Sequence, residues 1–461
     1  MKRIKKRLIF NIFSAVTVFL FLILLIAACI LFFVLPKKDY SVVEKRKLTE
    51  FPKFSLSSLA DGTYTDNITK YVSDNFIFRE SLVELSSNLE DLRGVRVDGV
   101  KFYDNNSNVS ETVKKSVDTP LFKVKKVSIG NETPLLGQEV KATIDFMKGL
   151  QNIDIYEGLD EAEITGQQAG ALFLVGKTAL EIFHGSYDIA ADYVNILNTY
   201  RLAVPSDVNV YTMVVPTNFE FGLPEKYKGE VGKPQKPIID EIYANLDPSI
   251  ITVDAYSKIK KAYDRNEYLY FRSDHHWTAL GAYRAYEAFA KSASFTPTPL
   301  MEFENRRVDE FLGTFYSSTY DKNLKESPDF VSFYAPKNEY SVTNYRENGV
   351  DTYKGTLVYK SVSNISHGYL VFMGGDIPLS VIETDVKNGR SLLIFKESYG
   401  NAFVPFLTGN FEKIYVADIR TFPFNAVNFV PENGITDVLF LNNIITSCSP
   451  PRIRNYLDLM Q

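Results

Sequence analysis

Two short stretches hold the residues whose types and spacing could do chemistry. In the first, Tyr268-Leu-Tyr-Phe-Arg-Ser-Asp-His-His-Trp-Thr278, two of the chain's four histidines and its single tryptophan sit beside Arg272 and Asp274. An aspartate two residues ahead of a histidine can turn its carboxylate onto the ring Nδ1–H of His276, which fixes the tautomer and leaves Nε2 as an outward-facing base. In the second, Ser391-Leu-Leu-Ile-Phe-Lys-Glu-Ser-Tyr-Gly-Asn401, an apolar run leads to Ser398. A serine on a strand-to-helix turn meets backbone N–H groups that favour attack by Oγ and stabilise an oxyanion. Asp274, His276 and Ser398 together supply orienter, base and nucleophile for acyl transfer, because triads are recognised by roles and not by chain order. Plainer readings compete. Asp274 or Ser273 can cap the helix that follows, Ser398 can cap its own, and the histidines can merely pack. A metal site is disfavoured: adjacent side chains diverge, so His275 and His276 would not share an ion, and no Cys-x-x-Cys or His-x-x-x-His supplements them. No cofactor is expected, since no glycine-rich nucleotide-binding loop is present.

The elements that must position these residues alternate after Gly166. Ala171–Val175 reads as a strand, 188–202 as a helix, Asn209–Val215 as a strand ending in Pro216-Thr-Asn218, 236–246 as a helix and 250–253 as a strand. The aromatic run before Arg272 reads as another strand, and 278–290 as its helix. Tyr369 to Gly375, Ser391 to Phe395, 413–417 and 437–441 complete the strands. The alternation predicts an α/β fold with a mostly parallel sheet covered by helices on both faces, and with its site at the carboxyl ends of strands, where Thr217 and Asn218 also fall. Residues 300–370, rich in Tyr, Ser and Asn, read as an excursion that serves as a substrate wall or as a plain insertion.

Lys2, Arg3, Lys5, Lys6 and Arg7 precede a run from Leu8 to Leu35 that has no charge and only Asn11, Ser14 and Thr17 as polar interruptions. A membrane-spanning helix needs about 20 such residues, and the basic cluster keeps the amino end in the cytoplasm. A cleavable signal peptide has a shorter apolar core. Ile26-Ala-Ala-Cys29 loosely resembles a lipoprotein box, but apolar residues continue after it, so an uncleaved single-pass anchor with the bulk of the chain outside is expected. The chain carries 51 Lys and Arg against 56 Asp and Glu. With five of those basic residues before Leu8, the exterior part is the more acidic, which argues against nucleic acid as a partner. Cys29 lies in the apolar run and Cys448 stands alone, so stability must come from core burial, not from a disulfide. The expected division is 1–38 tail and anchor, 39–104 membrane-proximal helical linker with short helices at 68–71 and 76–82, 105–164 polar insertion, and 165–461 catalytic domain.

Asp274 to Trp277 spells the signature of the DHHW protein family, and Glu44 to Ser81, Phe372 to Leu379, Lys396 to Leu407 and Ala417 to Arg420 resemble that family as well. The resemblance covers nearly the whole chain after the anchor. The family is similar to the SGNH-hydrolase-like domains of the alginate O-acetylation proteins, in which an Asp-x-His-Trp motif precedes the serine, as if circularly permuted. The resemblance implies an SGNH-hydrolase-like (flavodoxin-like) α/β domain with Ser398 as nucleophile, His276 as base and Asp274 as orienter. Trp277 would support the loop or line the pocket. Arg272, Gly374, Gly375, Tyr399 and Asn401 are candidates for substrate or oxyanion contacts. Two departures stand out: there is no Gly-Asp-Ser block, and Glu397 replaces the aspartate of the family's Lys-Asp-Ser. The implied function is O-acetyl transfer or O-acetyl ester hydrolysis on a polysaccharide, with a multi-spanning membrane-bound O-acyltransferase passing acetyl groups across the bilayer. The alternative is a non-catalytic polysaccharide-binding or assembly component.

Overall fold

The apolar runs assemble into one large sheet. The computed structural model describes residues 2–41, 46–93, 100–103, 171–359 and 365–461. The sheet's eight strands, labelled in chain order, are β1 (Asn209–Val215), β2 (Ile250–Thr252), β3 (Tyr340–Tyr345), β4 (Thr352–Lys354), β5 (Leu379–Thr384), β6 (Ser391–Lys396), β7 (Lys413–Asp418) and β8 (Asp437–Asn443). Their spatial order is β4-β3-β5-β7-β6-β8-β1-β2. From β7 to β2 every neighbour is parallel, whereas β5, β3 and β4 join antiparallel beyond β7. The fold is therefore mixed α/β with a parallel centre, and the excursion over 300–370 supplies one edge strand, β4, and its neighbour β3.

The two faces follow from side-chain alternation. Tyr211, Met213, Val215, Leu392, Ile394, Leu439 and Leu441 enter one core cluster with the helices Ala255–Tyr263 (α3) and Ala279–Ser292 (α4). Their neighbours Val210, Val214, Leu393, Phe395, Val438 and Phe440 enter a second cluster with Tyr187–Ala203 (α1) and Lys236–Ala244 (α2). Burial on both faces is why the central strands read as unbroken apolar runs.

Several expectations change. Leu172–Val175 is a strand, but in a separate three-stranded antiparallel sheet with Val100–Tyr103 and Thr178–Glu181. The runs before Arg272 and from Tyr369 are not sheet strands. Tyr270 makes a single antiparallel bridge to Trp277 and Phe372 one to Val358, and Ile365–Val371 winds as a 3₁₀ helix. Both runs are apolar because they pack their aromatic rings into the core, a demand that periodicity alone does not separate from strand formation. A further hairpin pairs Glu304–Phe311 with Asp329–Ala335.

Residues 1–95 group as a unit of their own, together with Tyr320–Lys322. Within it Lys2–Val34 is one helix, of which Val16–Val34 is long and apolar enough to cross a membrane, a test that a signal sequence also passes. The short helices expected nearby extend over Thr63–Asp74 and Arg79–Arg93, with Asp74 accepting hydrogen bonds from the N–H and hydroxyl of Thr49 at 2.9 and 2.7 Å. The polar insertion expected at 105–164 lies outside the described residues.

Candidate active site

The loop that carries Asp274 and His276 is held by a buried carboxylate. Asp329, at the start of its hairpin strand, accepts hydrogen bonds from the N–H groups of Arg272 and Ser273, from Ser273 Oγ at 2.5 Å, from Arg272 Nε at 3.0 Å and from the Tyr268 hydroxyl. The backbone then folds back, with Phe271 N–H donating to the His276 carbonyl and Thr278 N–H to that of Leu269. Thr278, not Ser273 or Asp274, caps α4: its Oγ accepts from Gly281 N–H at 3.2 Å. The carboxylate of Asp274 is thereby left for the histidine.

Asp274 Oδ1 meets His276 Nδ1 at 2.6 Å and the His276 N–H at 3.0 Å. Its other oxygen accepts from Thr314 N–H at 2.8 Å and from Thr314 Oγ at 3.2 Å. An ionised carboxylate only accepts, so Nδ1 carries the proton and Nε2 presents its lone pair. His276 Nε2 lies 2.7 Å from Ser398 Oγ. The imidazole is fixed in a third way, because the Tyr369 ring stacks on it at 3.7 Å and 10° while the Tyr369 hydroxyl donates to the Ser398 carbonyl at 3.0 Å. Gly313 lets this close packing happen, since a Cβ there would collide with the Asp274 side chain.

Ser398 follows β6, before the short helix Tyr399–Phe403 (α5), and makes no side-chain capping bond. Its hydroxyl is thus not committed to a cap. The turn is tied to neighbouring strand ends instead. Glu397, buried beside it, accepts from Tyr399 N–H at 3.0 Å and from the N–H and side-chain amide of Asn443, at the end of β8, at 3.1 and 3.2 Å. Burial pushes the Glu397 carboxyl above the ordinary range, against the pull of these N–H bonds. Glu397 Oε2 is also 3.3 Å from Ser398 Oγ. One residue earlier, Lys396 Nζ is 3.1 Å from both Asp376 and Asp418, which Arg420 bridges from the other side. Burial raises both carboxyls, but the two cations outweigh it, holding Asp376 well below the usual range and lowering Asp418 as well. Gly400 has no side chain because one would strike the alkyl chain of Lys396.

The remaining candidates are engaged within the protein. Arg272 Nη2 donates to the Pro328 carbonyl while its Nε goes to Asp329, so the guanidinium braces the loop. Trp277 is fully buried and donates from Nε1 to the Tyr399 carbonyl at 3.0 Å. The Tyr399 hydroxyl donates to the His275 carbonyl. Asn401 donates from its amide to Asp376 at 2.9 Å, and its side-chain oxygen has no hydrogen-bond partner among the described residues. The N–H groups of Gly374 and Gly375 close their own turn on Leu370 and Phe372. The backbone N–H groups of Gly374 and Gly375 therefore already have acceptors, and Arg272, Trp277, Tyr399 and Asn401 each spend at least one donor inside the protein, which a sequence cannot reveal.

The expectation that His275 and His276 diverge is corrected. Their rings lie 3.7 Å apart, and ligand atoms of Asp274, His275 and His276 fall within 4.8 Å of one another, a spacing that a cation can bridge. His275 Nδ1 instead pairs with Thr314 Oγ at 2.7 Å, and burial, with His276 beside it, lowers the affinity of His275 for a proton. Thr314, Tyr369 and Asp329 are the site residues that sequence reasoning missed, whereas Glu397 stood out as a departure from the family's Lys-Asp-Ser. The Tyr-, Ser- and Asn-rich excursion over 300–370, which carries all three and reads as a substrate wall or an insertion, was the one signal for them.

The family model described as "DHHW protein" matches residues 44–109 and 152–417. A DHHW family protein from Eubacterium siraeum has a solved structure that aligns at 35% identity and a TM-score of 0.58, over 62% of this chain and 94% of that one. Bacillus cereus PatB1, solved with a sulfonyl adduct, aligns at 17% identity and a TM-score of 0.51, over 61% and 98%. The O-acetyltransferase domain of Pseudomonas putida AlgJ aligns at 13% identity over 61% and 95%, with a TM-score of 0.34, too low to establish a common fold. No curated protein matches the chain.

Proposed function

The chain belongs to the DHHW protein family, and from that membership and the geometry of its site we propose that it is an extracytoplasmic, membrane-anchored O-acetyltransferase or O-acetylesterase acting on a cell-surface or secreted polysaccharide. The observation that carries this reading is the 2.7 Å contact between Ser398 Oγ and His276 Nε2, continued at 2.6 Å from Nδ1 to Asp274. Ser398 Oγ attacks the acetyl carbonyl carbon while its proton passes to His276, and Asp274 steadies the imidazolium that forms. The tetrahedral intermediate then expels the donor oxygen, which takes the proton from His276 and leaves an acetyl ester on Ser398. A sugar hydroxyl or water next gives its proton to His276 as it attacks that ester, and Ser398 leaves with the proton restored. Base assistance of this kind supplies about 10²–10⁴-fold.

The acetyl group as cargo rests on the similarity of the DHHW family to the alginate O-acetylation proteins, whose Asp-x-His-Trp motif Asp274–Trp277 resembles. So do the permuted SGNH-like motif order and a membrane-bound O-acyltransferase as acetyl supplier. The apolar helix with basic residues ahead of it supports an anchor with an outer catalytic domain. PatB1 has been seen with a sulfonyl adduct, and a sulfonyl fluoride is a reagent that loses fluoride to a reactive nucleophile. The test is to treat the purified full-length chain with phenylmethylsulfonyl fluoride and to assay aryl acetate cleavage. Labelling confined to Ser398, with both labelling and turnover lost in Ser398→Ala and His276→Ala, is expected, whereas an unlabelled Ser398 in folded protein removes the catalytic reading.

The second reading, a non-catalytic glycan-binding or assembly component, is favoured by one feature. The carboxylate of Glu397 holds the Tyr399 N–H and faces Ser398 Oγ at 3.3 Å, where negative charge would develop. Under that reading, surface acetylation in cells persists when Ser398 is alanine.

A further inference from the structure

Residues that follow β1 at the carboxyl edge of the parallel sheet line a cavity of about 400 Å³ that the reading above does not use. Its wall is aromatic: Phe221 lies 5.3 Å from both Tyr256 and Tyr263, ring centre to ring centre, and all three are half-buried. Such a wall offers a face to the C–H side of a sugar ring while its hydroxyls stay wet. Behind it, Phe221 contacts Tyr270 at 6.3 Å, and Tyr270 bridges to Trp277 in the loop that carries His276. β1, whose following segment lines the cavity, and β6, which ends just before Ser398, are separated only by β8, so these two strands run two strand spacings apart in one parallel sheet, about 10 Å.

The charges of the lining divide unevenly. Lys260 is paired with Asp264 at 2.7 Å, and Glu220 is occupied by the Tyr256 hydroxyl at 2.8 Å and the Gln235 N–H at 2.6 Å. Lys233 is exposed and forms no ion pair among the described residues, its ammonium reaching the Gly185 carbonyl at 3.2 Å. The cavity therefore combines an aromatic platform with one cation that lacks a carboxylate.

We propose that this cavity is a subsite for the acceptor polysaccharide, taking a pyranose ring that bears an anionic group, so that a neighbouring sugar of the same strand reaches Ser398. The proposal rests on the acetyl-transfer reading and adds the substrate class to it. It is tested by titrating full-length Ser398→Ala protein with oligogalacturonate and with a neutral cello-oligosaccharide. Oligogalacturonate is expected to bind more tightly. Phe221→Ala should weaken it about tenfold, and Lys233→Glu, which alters only an exposed side chain, should weaken the acidic oligomer and not the neutral one. No binding by the parent protein, or unchanged affinity in both variants, overturns the subsite. Sulfonyl labelling of Ser398 in the wild-type chain is scored separately, so the catalytic reading and the subsite fail by different measurements.

Discussion

At the scale of residues, the arrangement turns on how Asp274 is held. One oxygen faces His276 and the other is fixed by Thr314, so the carboxylate serves a single histidine tautomer. Asp274→Asn would present an N–H where an acceptor is needed and reverse that tautomer. Turnover of an aryl acetate is expected to fall about 10³–10⁴-fold, read as kcat in steady-state assays of folded protein. Gly313→Ala forces a methyl group into the Asp274 side chain. A shift of the carboxylate by the better part of an ångström should cost about 10²-fold in kcat, and a variant with full activity would show that the loop does not depend on this contact. The sequence offers Asp274, His276 and Ser398 as candidates because each announces itself by local chemistry. It does not offer Tyr369 or Thr314, whose roles arise only when segments distant in the chain lie against the imidazole and the carboxylate.

At the scale of elements, strand ends and buried charges fix the Ser398 turn. Lys396 lies fully buried between two aspartates, and replacing it with methionine leaves Asp418 facing Arg420 alone. A loss of about 3 kcal/mol is expected in urea unfolding, because removing one member of a buried ion network strands its partner. The helix α1 yields a pH prediction. Burial, with Asp188 beside it, raises the Asp192 carboxyl from 3.8 to about 6. The folded chain then holds that proton more tightly than the unfolded chain, so stability falls as pH rises from about 4 to about 6 and stays lowered above. Asp192→Asn removes the penalty. It should match the wild type near pH 4 and exceed it by about 1 kcal/mol near pH 7.5, after allowance for partial exposure; equal unfolding midpoints at both pH values would refute it. Most of β1, β2, β6, β7 and β8 was legible as apolar runs because both faces of the sheet are covered. The runs before Arg272 and from Tyr369 were misread because a ring-packed loop and a buried strand share the same composition.

At the scale of the whole molecule, two units are evident, and one of them carries the apolar helix Lys2–Val34. If that helix anchors the protein, removing residues 1–35 should move the chain from the membrane fraction to the soluble fraction, while sulfonyl labelling of Ser398 is retained. Recovery of the truncated chain in membranes would point to attachment through other residues.

The sequence by itself determined the chemistry on offer: which groups can hold, move or donate a proton, where the apolar runs lie, and that one segment is long enough to cross a bilayer. These are properties of residue types and short spacings, which the chain carries wherever it folds. Only the tertiary structure decided that Ser398 and His276, 122 residues apart, meet at 2.7 Å. It also decided that the backbone N–H groups of Gly374 and Gly375, candidates for an oxyanion, are already bonded, and that a carboxylate stands beside the serine. Both outcomes follow from strands brought edge to edge, where burial forces each polar group to find a partner that sequence proximity does not name.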